Sequence, residues 1–144
     1  MSNKKQRLRR KRKVRSPKAI LFDKVWDKCS EYVRRLAGGQ CYTCEDKKLW
    51  KYQDAGHFRH GKTKLTHFNI KQIRCQCSRC NRMLSGNLSI FGFKLTKELG
   101  VKEAEQIIND SYKEKYYKMA ELEVLDEYFT NKLNELNLQA TEDR

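Results

Sequence analysis

The sequence points to an α+β chain. Two strands and a following helix would form a small core stapled by four cysteines, with one N-terminal helix and a set of C-terminal helices around it. Three features predict this. Two Cys-x-x-C pairs, Cys41/Cys44 and Cys77/Cys80, enclose a stretch without helical period. Apolar residues at helical spacing lie on both sides of that stretch. At 144 residues, 38% hydrophobic and 35% charged, the chain has a modest core that a metal clip would supplement.

The elements follow in order. Ser16-Pro17 opens a helix, because serine caps the free N–H groups and proline at the first position gives up a donor that has no partner there. Leu21, Val25, Tyr32, Val33 and Leu36 recur on one face, flanked by Trp26 and Cys29, and Gly38-Gly39 ends the helix. Cys29 reads as a small buried hydrophobe rather than a ligand. LWKYQ (49–53) has the alternation of a short strand leading into DAGHF, and HFNIKQIRC (67–75) suits a return strand, with Gly61 in the turn between. A helix is expected from Cys77 or Cys80, broken near Ser85-Gly86. Three more follow: 88–99 ending at Gly100, 101–112, and 115–138. The organisation is then a basic tail (1–15), an N-terminal helix (16–39), a zinc-stapled core (40–100), C-terminal helices (101–138) and a short tail (139–144). Leu122, Leu125, Phe129, Leu133 and Leu136 form a seam-like stripe that would either pair two copies of the chain or pack on its own domain.

The net charge is +14, and residues 1–15 hold nine Lys/Arg and no acid, so 14 less 9 leaves +5 for the rest. A basic block of this kind, including Arg9, Arg10, Lys11 and Arg12, repels itself until a polyanion neutralises it, and nucleic acid is the polyanion expected. A localisation signal or solubilising tail is the blander alternative. No apolar run approaches the roughly 20 residues needed to cross a bilayer, and the N-terminus has no apolar leader, so the chain is expected in the cytoplasm with no membrane partner. Under those conditions six cysteines point to metal rather than disulfides.

The two Cys-x-x-C pairs supply four soft ligands, enough to close a tetrahedral zinc site with no open position. Such a zinc is structural, not catalytic. Substituting Cys75 as a ligand would distort the two-residue spacing.

The order of a cysteine pair, a strand ending in His57, a return strand, a second pair and Asn81 directly after Cys80 resembles the HNH nucleases, the zinc-containing branch of the ββα-metal fold. DAGHF, then QCSRCNRMLSGN, then an aliphatic helix ending at Gly100, is similar to the NinG (Rap) recombination endonucleases of lambda-like phages, over roughly Ile20 to Leu138. The resemblance implies a structure-selective endonuclease that cuts branched DNA, Holliday junctions included, in phage recombination. It implies His57 as general base, Asn81 as a ligand to a catalytic Mg2+ or Mn2+, and Gln72 in the place of an asparagine that orients the loop holding the base. Asn69 lies three residues earlier.

The chemistry agrees with those roles. An imidazole titrates near neutrality and can take a proton from water. Magnesium prefers oxygen ligands, so Asn81 and one carboxylate would serve, Asp54 being the candidate if the strand end bends, with His60 and Asn87 as further possibilities. Arg59 or Arg82 would grip a phosphate oxygen, with Lys62 nearby as a DNA contact, and Ser85-Gly86-Asn87 would touch phosphate close to the site. Cutting a junction on opposed strands calls for a homodimer, with phage or host recombination proteins as further partners. Two alternatives stay open: a non-catalytic zinc-ribbon DNA-binding module, and an HNH endonuclease of homing or restriction type.

Overall fold

The computed structural model describes residues 14–142, so Arg9, Arg10, Lys11 and Arg12 lie outside the described residues. Helix α1 spans Pro17–Leu36, and the Ser16 hydroxyl accepts from the Ala19 N–H at 3.2 Å. Its face is the expected one in the middle, with Val25, Cys29 and Val33 buried, but Leu36 is turned out to solvent. Cys29 is wholly buried, and burial pushes its thiol up to about 12, as befits a small hydrophobe.

Two short strands form the sheet. Strand β1, Asp54–His57, pairs antiparallel with β2, Ile73–Gln76, in the register Asp54 to Gln76 and His57 to Ile73. LWKYQ is not a strand. Trp50–Tyr52 makes a single 3-10 turn, with Leu49 and Tyr52 exposed. The alternation there has no core to face, and the Trp50 ring lies instead under the guanidinium groups of Arg34 and Arg35, 5.2 and 5.9 Å from its centroid. The return strand is also shorter than expected, because residues 66–69 close a turn around buried Thr66, His67 and Phe68.

After Cys77 the chain makes one π-helical turn, Arg79–Met83, closed by the Leu84 N–H on the Arg79 carbonyl at 2.9 Å. Helices α2 (Leu88–Leu99) and α3 (Val101–Asp110) follow as read. Helix α4 runs Met119–Glu142, starting later than expected and continuing past residue 138, where a tail was expected. Its late start has a cause: the Lys115 N–H is already given to the Thr63 carbonyl at 2.8 Å, which holds the preceding segment extended.

Helix α4 lies against α1. Leu122 and Phe129 are fully buried in a core with Val25, Cys29, Val33, Phe68 and Ile73. The stripe therefore packs on its own domain, which removes it as the dimer interface. A second core joins Phe91, Leu95 and Ile107 of the α2–α3 hairpin, with Phe58 packed against it. The sheet end carrying His57 is thus held between two cores.

Candidate active site and metal centre

The sulfurs of Cys41, Cys44, Cys77 and Cys80 lie within 4.8 Å of one another, with Cys44 and Cys77 3.6 Å apart. A tetrahedral zinc–thiolate site has sulfurs about 3.8 Å apart, from a Zn–S bond of about 2.3 Å, so the quartet fits such an ion. The Cys80 N–H approaches Cys77 Sγ at 3.4 Å, and Asn87 Nδ2 approaches Cys80 Sγ at 3.8 Å, the donors that thiolates take around a metal. Burial alone would raise the Cys41 thiol, but the Thr43 hydroxyl and three backbone N–H groups outweigh it and bring the thiol down to about 6. Cys75 belongs to β2 and stands outside the quartet.

His57 ends β1. Its Nε2 lies 2.9 Å from the His67 carbonyl oxygen. A carbonyl only accepts, so Nε2 carries the proton and Nδ1 keeps its lone pair. The ring is held by stacking, on Trp26 of α1 at 4.8 Å and 18° and on His67 at 5.2 Å and 16°. His67 stacks in turn on Phe22 at 5.0 Å and 14°. Burial lowers the His57 pKa below the ordinary imidazole value, the hydrogen bond to His67 opposes that, and the charge of His60 adds to it. The imidazole is neutral at pH 7.

His57 lines a cleft of about 410 Å3 with Ala55, His60, Asn81, Ser85, Gly86 and Leu88. Gly56 is what allows the close packing behind it: a Cβ there would stand 2.0 Å from Gln76 Oε1 and 3.0 Å from Asn81 Oδ1. Gln76 is fully buried, its amide donating to Thr43 Oγ1 and the Gly86 carbonyl.

Asp54 is not in this cleft. It lies three residues before His57, and side chains an odd number apart point to opposite faces of a strand. Both carboxylate oxygens are taken, Oδ2 by Asn81 Nδ2 (3.0 Å) and Arg82 Nε (2.8 Å), and Oδ1 by Arg82 Nη2 (2.9 Å). Asp54 is engaged with Asn81 and Arg82 and does not line the cleft. It orients Asn81, whose Oδ1 lies beside Gly56. Arg82 pairs with Asp54 through Nε and Nη2, and its side chain is 70% exposed. Among the described residues, the four cysteines are the only grouping of three or more His, Cys, Asp and Glu ligand atoms close enough to share an ion.

Gln72 is fully buried and touches no substrate surface. Its Oε1 accepts from the Arg59 N–H at 2.7 Å and its Nε2 donates to the Thr66 carbonyl at 2.9 Å, tying both ends of the loop that brings His67 to His57. It is a positioning residue. Asn69 makes only a local turn, accepting from the Lys71 N–H at 3.0 Å. Asn87 caps α2 in a left-handed conformation, and its amide serves the sulfur site. Lys62 is exposed, with a loose contact to Asp23 at 3.8 Å. His67 and Trp26 were not legible as site residues. The only signal was a histidine in the otherwise unexplained THF stretch.

No helix among the described residues is long and apolar enough to cross a membrane. The family model described as Bacteriophage Lambda NinG protein matches residues 1–139. No curated protein and no solved structure matches the chain.

Proposed function

Since the chain belongs to the NinG family, we propose that it is a divalent-metal-dependent endonuclease of the HNH type that hydrolyses phosphodiester bonds in branched DNA, Holliday junctions included, during phage recombination. One observation carries this reading. His57 is locked by two ring stacks and one backbone acceptor, with a free Nδ1 lone pair on a residue that lines an open cleft. A buried histidine serving only as packing has no need of a cleft.

In the proposed reaction His57 Nδ1 takes a proton from a water as that water attacks phosphorus. The P–O bond to the departing ester oxygen breaks, and that oxygen takes a proton from solvent. The imidazolium that forms keeps its Nε2–H on the His67 carbonyl, which stabilises the charge. Arg59, whose guanidinium is free beyond its Nε, is the residue proposed to meet a phosphate oxygen. A bound Mg2+ or Mn2+ would offset the charge building on the phosphate. Asn81 is the cleft residue that would help hold such an ion, with water and the substrate phosphate as its other ligands. Zinc in the cysteine quartet would remain structural. Paired nicking would still call for a homodimer, formed through a face other than the α4 stripe.

The test is nicking of a four-way junction with Mg2+ or Mn2+ by the wild type and His57→Ala. Loss of roughly 10²- to 10⁴-fold in rate, with junction binding retained, is the expected result. A second reading, the non-catalytic zinc-ribbon DNA binder, is favoured by the lack of an acidic or histidine ligand cluster in the cleft among the described residues. It predicts junction binding with no nicking by either protein. Cutting of linear duplex at one site without junction preference would indicate the homing or restriction type.

A further inference from the structure

The cleft does not stop at His57. His60 and Leu88 form one of its walls and also line a second hollow of about 280 Å3, whose other residues are Phe58, Arg59, Lys64, Ser111 and Tyr112. The two hollows adjoin at these two residues.

Arg59 in this second hollow is built into place. Its backbone N–H is fixed by Gln72, and its Nε donates at 3.1 Å to Ser111 Oγ. Ser111 is itself buried, 7% exposed, and gives its proton to the Ile108 carbonyl at 2.6 Å. Those bonds leave the two Nη groups of Arg59 as free donors. The guanidinium lies over the Tyr112 ring, 5.4 Å from its centroid. Tyr112 is 68% exposed, so most of its side chain is open to solvent.

The segment carrying Tyr112 cannot drift from the His57 loop. The Leu65 N–H donates to the Lys113 carbonyl at 3.0 Å, and the Lys115 N–H donates to the Thr63 carbonyl at 2.8 Å. The ring, the guanidinium and the base at His57 are therefore held in one frame.

We propose that Arg59, Lys64 and Tyr112 form a subsite for one unstacked nucleotide beside the phosphate presented to His57. The Arg59 Nη groups and Lys64 meet its phosphate, and its base lies on the open face of Tyr112. The identification of the neighbouring phosphate as the scissile one rests on the nuclease reading, whereas the nucleotide site stands on the groove itself. A base in a duplex has both faces covered by its neighbours and cannot lie on the tyrosine. A nucleotide at a branch point or in a single strand can. Tyr112 is then a specificity residue that makes the groove prefer branched or single-stranded DNA.

The experiment measures affinity by fluorescence anisotropy for a labelled four-way junction, a single strand and a linear duplex of the same sequence. The full chain with its metal is used, in buffer without added Mg2+ or Mn2+ and without chelator. Tyr112→Ala should weaken the junction and the single strand by roughly 5- to 100-fold, the span of one base–aromatic stack, and the duplex by less than about 2-fold. Tyr112→Phe should bind all three as the wild type does. Tyr112→Ala should leave the salt dependence of affinity unchanged, while Arg59→Ala should reduce its slope by about one phosphate contact. Equal loss on all three DNAs, no loss on any, or a wild type that binds no DNA overturns the proposal. Because no turnover is measured, a wild type that fails to nick junctions while showing the Tyr112-dependent preference sinks the nuclease reading and leaves the subsite. A wild type that nicks, with Tyr112→Ala indistinguishable from it in binding, does the reverse.

Discussion

Replacing His67 by phenylalanine, and measuring stability on both sides of the imidazole range, isolates the energetics of the ring behind His57. His67 is 5% exposed, and neither ring nitrogen has a hydrogen-bond partner. Burial first, then the charges of His57 and Lys62, lower its pKa from 6.5 to about 4. The unfolded chain takes up a proton near 6.5 while the folded one does not. The depressed group therefore contributes its full stability above pH 6.5, and that contribution is lost as pH falls towards about 4. At 1.36 kcal/mol per pH unit the loss reaches about 2 kcal/mol by pH 5 and about 3 kcal/mol by pH 4. Phenylalanine preserves the stack on Phe22 and leaves the backbone carbonyl that accepts from His57, but cannot titrate. The assay is denaturant unfolding of both proteins at pH 7 and pH 5. Loss of zinc thiolates in acid affects both equally and cancels in the difference. The wild type should lose about 2 kcal/mol more than His67→Phe over that interval, and at pH 7 the variant should be at least as stable, since it removes a buried polar ring without partners. Parallel loss in the two proteins would refute the placement of a neutral, buried imidazole at this position.

The nicking reaction should need His57 unprotonated, so its rate falls as pH drops through the His57 pKa, and the midpoint of that acid limb should lie below the ordinary 6.5 because burial lowers it; a midpoint above 6.5 in a pH–rate profile refutes that. The chain should hold one zinc, and Cys44→Ser or a strong chelator should melt the region around Cys41, Cys77 and Cys80, read by metal analysis and thermal unfolding. Gly56→Ala should destabilise by about 1–3 kcal/mol, because the added Cβ meets Gln76 Oε1, whose amide is pinned by Thr43 and Gly86; unchanged unfolding free energy would count against the tight packing behind the cleft.

The four-cysteine cluster and the cap of α1 could be read directly because each is a local chemical fact. Cys-x-x-C spacing determines which sulfurs can converge, and Ser16-Pro17 needs only its own first turn to cap α1. The strands were harder, since four residues carry little pattern. LWKYQ alternates as a strand should, but no strand pairs with it, and Leu49 and Tyr52 stay exposed. The parity between Asp54 and His57 was visible and separates them on a straight strand; only the bend it would have required kept Asp54 as a ligand candidate. The α4 stripe had two legitimate partners, and only the packing of α1 against it decides between them. Tyr112 and Trp26 reach the groove from residues distant in the chain, which no spacing rule reports.

Local energetics and fold disagree at several places, Gln53 and Thr66 among them, and two of these stand next to the proposed site residues. His67 buries a polar ring with no partner, where an apolar residue would be worth more to stability. Gln76 leaves its Oε1 buried and unpaired beside a glycine that has given up its side chain to admit it. Other local choices agree with the fold: α1 is capped, and buried Gln72 satisfies both ends of its amide. Chains carry such costs chiefly where function asks for them. Here these two costs each adjoin one functional candidate, His67 supporting the ring of His57 and Gln76 lying behind Asn81. The proposed base and the proposed cation ligand thus each rest on a residue whose burial is unfavourable for folding alone.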